Sequence, residues 1–268
     1  MSNFVVALTC LLLFSFVFIP AASPIDGSEI LFSYEDTPAD EISIPTGALI
    51  VSFNDTEIED REDLSAALDN TTPNQTITLS YLYKEKKYTK NVTLTSYYDV
   101  LEIVNESNIN TSKLKNTSFL GIAYIVFKED FISSMKNPLY DFPNGFANIY
   151  SIPIFSYIQG YNPLSEPFIS NYELKGPLGG LPKEIFWGFT NLIYWIFWLN
   201  LLVGLFNVIP MAPLDGGFLF NDYIKAAIKK IKKDISKERL DKIVGNISLI
   251  VSLALLFIII FPFFFKYI

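Results

Sequence analysis

Asp215 is the side chain in this sequence best placed to do chemistry. It lies in Asn207-Val208-Ile209-Pro210-Met211-Ala212-Pro213-Leu214-Asp215-Gly216-Gly217, where a long apolar run ends. An ionised Asp at the centre of a bilayer costs roughly 2.5–3.5 kcal/mol on insertion scales, so one held there usually has a partner, commonly a metal or another cation. The same residues also make a plain helix terminus, with the prolines stopping the helix and Asp215-Gly216-Gly217 turning at the interface. The residue types alone leave both readings open.

The elements around Asp215 favour a membrane setting. Ile185 to Ile209 contains no Asp, Glu, Lys or Arg, and at about 1.5 Å per residue such a helix crosses an apolar layer of about 30 Å with some tilt. Phe4 to Ala22 is a second uncharged stretch of spanning length. Ala21-Ala22-Ser23 also resembles a signal-peptide cleavage site, but the basic leader is absent, which favours an uncleaved helix. Val244 to Phe265, followed by Lys266, is a third span.

Taken as a string, Asn207, Pro210, Pro213, Leu214, Asp215, Gly216 and Gly217 resemble the LDG motif of the site-2 proteases, intramembrane zinc metalloproteases. Asn200 sits two helical turns before Asn207. The resemblance implies that Asp215 is the third zinc ligand. It also implies that Asn207, Pro210, Pro213, Gly216 and Gly217 shape the cleft that holds substrate backbone.

That family takes its other two ligands from a His-Glu-x-x-His helix whose Glu is the general base, the zinc polarising the scissile carbonyl and activating a water. This sequence has no histidine, and its single cysteine, Cys10, lies in an apolar run and reads as a small packed residue. These residues therefore supply no catalytic group of their own. The expectation is zinc in the complete protein, with none bound and no peptide cleaved by this chain alone.

Met1-Ser2-Asn3-Phe4 looks like the tail of the segment that leads into the family's next transmembrane helix. On that reading the chain begins at an internal methionine of a longer protein, or is one half of a split one whose second chain supplies the histidines. A pseudoprotease that binds membrane clients through the cleft and the external domain is the alternative. A plain anchor carrying a sensor domain leaves the motif unexplained.

Composition supports a chain of two natures. Half of the residues are hydrophobic and mean hydropathy is +0.32, yet 28 acidic against 20 basic residues give a net charge of −8. Between Lys225 and Lys242 seven Lys and Arg239 face Asp234, Glu238 and Asp241, a basic excess that belongs on the cytoplasmic side. With three spans, residues 23–183 are then outside. Asn-x-Ser/Thr sites at Asn54, Asn70, Asn74, Asn91, Asn105, Asn110 and Asn116 fit an exported segment, and Asn246 adds one in the last span. In the basic stretch, Ile224, Ala227, Ile228, Ile231 and Ile235 recur at helical spacing, so its cations face water or headgroups. An acidic chain without a recognition motif excludes nucleic acid as a partner.

In the external part, Ala48 to Phe53 reads as a strand, Asn54-Asp55 as a turn and Glu57 to Leu68 as an acidic helix. Thr76 to Tyr83 alternates, with Ile77, Leu79, Tyr81 and Tyr83 on one face, and turns at Lys84 to Lys87 into a strand over Tyr88 to Leu94. Leu49-Ile50-Val51-Ser52-Phe53-Asn54, then Asp63-Leu64 and Val92-Thr93-Leu94, resemble a PDZ domain of the kind inserted in membrane proteases. Such a domain adds an extended peptide to a sheet edge. Pro45-Thr46-Gly47 is only a faint echo of its carboxylate-binding loop. Glu57, Glu59, Asp60, Glu62 and Asp63 form a solvated helix face without calcium-loop spacing. Phe119 to Phe127 reads as an apolar strand or buried segment, and Phe146 to Ile158 as a proline-interrupted interfacial segment. One cysteine excludes an internal disulfide.

The expected architecture is thus a multi-pass α-helical membrane protein of the cell membrane with an extracytoplasmic α+β, PDZ-like domain. Its segments are a transmembrane helix at 4–22, the PDZ-like domain at 40–96, an external or interfacial region at 97–183, a transmembrane helix with the LDG motif at 184–219, a cytoplasmic basic amphipathic helix at 220–243 and a transmembrane helix at 244–265. Its expected function is membrane metalloendopeptidase action on transmembrane protein substrates.

Overall fold

A computed structural model of the chain describes residues 2–99, 115–125, 128–139 and 141–265. Met1, Asn105, Asn110, Phe127 and Lys266, named above, lie outside these. By internal contacts the chain divides into two compact units, Met1–Leu11 with Tyr194–Ile268, and Leu12–Ile193.

Three helical stretches are long and apolar enough to cross a membrane: Ser2–Ala21, Lys183–Val208 and Lys237–Ile258. The first is α1 (Ser2–Leu13) prolonged by a π turn at Phe14–Phe18 and a 3-10 turn at Ile19–Ala21, where Pro20 ends it.

The second unit is built on an antiparallel sheet. In chain order its elements are β1 (Ala22–Pro24), β2 (Ser28–Ser33), α2 (Pro38–Glu41), β3 (Leu49–Phe53), β4 (Thr56–Glu57), α3 (Arg61–Asp69), β5 (Thr76–Tyr83), β6 (Lys86–Thr93), β7 (Thr95–Ser96), β8 (Ser118–Phe119), β9 (Ile122–Tyr124), α4 (Lys128–Lys136), α5 (Asn144–Gln159) and β10 (Tyr172–Leu174). The main sheet runs β6-β5-β3-β2-β9, with β4 paired to β3.

The alternation over Thr76–Tyr83 works as expected: Ile77, Leu79 and Tyr81 enter a core with Ile30, Ile50, Phe53, Ile58 and Leu64. Lys84 and Glu85 both take positive φ, 48° and 65°, the geometry that lets a two-residue hairpin follow the twist of its strands.

Several elements depart from expectation. The helix expected from Glu57 begins at Arg61, because Thr56–Glu57 pairs with β3 and the Asp60 carboxylate caps the helix by accepting from the Asp63 N–H at 2.9 Å. The apolar strand or buried segment expected from Phe119 to Phe127 is interrupted within its described part, where Gly121, at φ 89°, separates β8 from β9. The sheet also recruits β2 and β9, which flank the 40–96 segment on either side. Phe146 to Ile158 lies within the helix α5 despite Pro153.

A buried polar link joins the sheet to the turn before β10. The Asn171 amide donates to the Glu29 carboxylate and, at 2.9 Å, to the Gly47 carbonyl, with Glu29 and Asn171 both buried. Tyr161 and Tyr172 pack nearby, and burial first, then the Glu29 charge among their neighbours, pushes both hydroxyls far above the ordinary tyrosine range.

The helix α6 (Lys183–Val208), whose residues from Tyr194 on belong to the first unit, ends at Val208, so the helix expected over 184–219 is shorter. The amphipathic helix expected from residue 220 starts earlier, as α7 (Asp215–Ile231), and stops before Lys232. The final span is not separate from the basic stretch: α8 (Lys237–Phe265) runs continuously from one into the other. Lys225 and Asp241, 3.0 Å apart, bridge α7 and α8 at the surface, a contact worth up to about 1 kcal/mol.

Candidate metal-ligand turn

The Asn207–Gly217 string forms a tight reversal between α6 and α7. Ile209 still donates to Phe206 at 3.1 Å, but Pro210 and Pro213 have no N–H to continue a helix. The chain closes instead through Met211 N–H to the Ile209 carbonyl (2.8 Å) and Leu214 N–H to the Met211 carbonyl (2.8 Å), with a cis peptide at Ala212-Pro213. Ala212 N–H donates to the Ser252 hydroxyl of α8 at 3.0 Å, fixing the far side of the turn.

The two glycines have a packing reason. A Cβ on Gly216 would stand 2.4 Å from the carbonyl oxygens of Val208 and Ile209, and one on Gly217 would stand 2.7 Å from that of Met211. Both glycines are buried. The turn folds directly onto the first turn of α7, which no residue with a side chain permits.

Asp215 is the first residue of α7, and its side chain is exposed. Leu214 precedes it in extended geometry and offers no capping side chain, so the first N–H groups of α7 and the helix dipole favour an anion there. Asn207 is half-buried on the last turn of α6 and Pro210 is half-buried, while Pro213 is exposed. Asn200 turns back on its own helix, donating to the Ile196 carbonyl at 2.8 Å.

Among the described residues no group of three or more His, Cys, Asp or Glu stands close enough to hold a metal. The residues present do not make a complete zinc site.

Sequence reasoning missed two polar residues of this unit. Ser252, read as part of an apolar span, holds the turn through Ala212. Asn221, in α7, has a buried side-chain oxygen with no hydrogen-bond partner among the described residues. A polar residue inside a helix was the available signal for both.

The sequence profile of peptidase family M50 matches residues 1–257. Uncharacterized protein MJ0971 of Methanocaldococcus jannaschii is 36% identical over 70 residues, which is 24% of this chain and 19% of that protein. The matched stretch thus spans about a fifth of that relative's length. Similar solved structures include the PDZ domain of the SdrC-like protein Lin2157 from Listeria innocua, 20% identical over 37% of this chain and 93% of that one, at a TM-score of 0.29. The PDZ domain of the SdrC-like protein Lmo2051 from Listeria monocytogenes is 16% identical over 41% and 96%, at a TM-score of 0.31. Since the profile match runs through nearly the whole sequence, apolar helices included, the chain belongs to peptidase family M50, the membrane-embedded zinc metalloproteases that include the site-2 proteases.

Proposed function

We propose that this chain forms the part of an intramembrane zinc endopeptidase that presents the carboxylate ligand and the substrate-facing turn. The observation that carries the reading is the reversal at Asn207–Gly217, where an Asp begins a helix against a turn closed by two glycines. Asp215 stands at the first position of α7, with its side chain exposed. The Asn207 amide offers both a donor and an acceptor to the unpaired backbone of an unwound substrate segment. The substrates are transmembrane proteins, and the setting is the cell membrane.

The chain has no histidine, so the two imidazole ligands come from outside these 268 residues, from a further segment or a second chain. This chain alone is inactive and holds no zinc. The PDZ-like domain of residues 40–96, its sheet completed by β2 and β9, acts as a peptide-binding module on the exported side. The basic stretch from Lys225 to Lys242 supports that orientation, as do five exposed acceptor sites on this unit, Asn54, Asn70, Asn74, Asn91 and Asn116.

The test is cleavage of a transmembrane reporter by the complete protein reconstituted in vesicles. Asp215→Ala abolishes cleavage on this reading, and undiminished cleavage removes Asp215 from the ligand set. The lack of histidine favours one other reading, a non-catalytic protein that retains membrane clients. A complete protein that co-purifies with an intact reporter and never cuts it selects that second reading.

A further inference from the structure

The sheet edge beside α3 is covered by the chain itself. β9 pairs antiparallel with the outer edge of β2, Ile30 opposite Tyr124, Phe32 opposite Ala123 and Ser33 opposite Ile122, with a register shift between Ile30 and Phe32. Around it, Tyr34 N–H donates to the Gly121 carbonyl and Ala39 N–H to that of Leu120, both at 2.9 Å, while Ile125 N–H reaches the Glu29 carbonyl only at 3.4 Å. Leu120 and Ile122 are buried in the core with Ile58 and Leu64, and Tyr124 packs against it. Tyr124 also lies close enough to α3 for Arg61 and Asp69 to act on its hydroxyl. Alternate residues of one short segment therefore fill a groove between a strand and a helix, the way an added strand docks.

Beside Tyr124 and Ile125, alongside the start of β2, lies a cavity of about 200 Å³, lined by Asp26, Ser28, Glu59, Asp60, Arg61 and Glu62 among others. Its charged groups are mostly carboxylates, which disfavours a terminal carboxylate and favours a cation.

We propose that the β2–α3 groove is a docking site for an extended polypeptide with apolar residues at alternate positions followed by a basic residue, and that Leu120–Ile125 is its resident, displaceable occupant. The proposal deepens the reading of this unit as a peptide-binding module. It makes peptide capture conditional on strand exchange, so the module is closed until a ligand competes with its own chain.

Two changes to the full chain in detergent test this with one probe, a fluorescein-labelled, amidated peptide of the Ser118–Ile125 sequence followed by two lysines. Gly121→Ala loosens the resident strand selectively, because a Cβ there would meet the Thr37 side chain at 2.1 Å and φ is 89°. A Phe32→Cys/Ala123→Cys pair, with Cys10→Ser, locks it when bridged by a thiol cross-linker. Gly121→Ala is expected to bind the probe about ten-fold more tightly than wild type, as a larger open fraction requires. The unbridged cysteine pair binds as wild type does, and the bridged form loses binding. Probe binding that persists in the bridged form overturns the proposal, as does failure of both Gly121→Ala and the unbridged pair to bind. The readout needs neither zinc nor cleavage, so its failure leaves the assignment of Asp215 untouched.

Discussion

Gly216→Ala tests whether the turn before α7 is a packed structure or a loose helix end. The added Cβ would lie 2.4 Å from two carbonyl oxygens and 2.6 Å from the Val208 carbonyl carbon, all backbone atoms. Ordinary contact begins near 3.4 Å, so the turn must retreat by about 1 Å, a shift on the scale that makes overpacking costly. It is held on one side by the Ile209–Phe206 hydrogen bond and on the other by Ala212 N–H on Ser252. Overpacking of this kind costs about 2–3 kcal/mol, the upper part of its usual range, because backbone cannot swing aside as a side chain does. The better helix propensity of Ala returns about 1 kcal/mol, leaving a net loss of about 1–2 kcal/mol. For a chain of this size that lowers the melting midpoint by about 2–8 °C. The assay is thermal unfolding in detergent followed by tryptophan fluorescence. Gly245→Ala in α8 is the control, since its Cβ meets open space and should stabilise by up to about 1 kcal/mol. A Gly216→Ala protein that melts with Gly245→Ala or above wild type would refute the packing argument.

Other outcomes follow from the second unit. The Tyr161 hydroxyl is buried with no hydrogen-bond partner among the described residues, so Tyr161→Phe should raise stability by up to about 1 kcal/mol in chemical denaturation; a clear loss would reveal a bond to that hydroxyl. Tyr161 and Tyr172 have raised folded pKa values, so their contribution is complete below the unfolded value of about 10 and is lost as pH rises beyond it. Stability should fall by about 1.4 kcal/mol per pH unit for each of the two above about pH 10, and Tyr161→Phe should lower the slope by that one share. Asn171→Leu strips a donor from the buried Glu29 carboxylate and from Gly47, at an expected cost of at least about 2 kcal/mol; an unchanged midpoint would show the link to be dispensable. Asp60→Ala removes the α3 cap and should cost about 1 kcal/mol, with Asp60→Asn retaining most of it.

How much was legible in the sequence depended on the range of the interactions. Strand β5 and its hairpin with β6 followed from alternation and a two-residue turn, because both are local. The α3 boundary was missed because one carboxylate, Asp60, decides where that helix begins. Strand β9 was illegible as a partner of β2, since only tertiary pairing brings Ile122–Tyr124 beside Ile30–Ser33. At the turn, the residue types marked Asp215, but the prolines were read as ending one element rather than opening the next. The reason for Gly216 and Gly217 emerged only with the backbone of Val208–Ala212 laid against them.

Zinc content of the complete purified protein tests the central assignment most directly, by elemental analysis of wild type, Asp215→Ala and Asp222→Ala, the last altering an exposed carboxylate of α7 outside the turn. The assignment of Asp215 as a ligand predicts stoichiometric zinc in wild type and Asp222→Ala and its loss in Asp215→Ala. Full zinc retention by Asp215→Ala would contradict it.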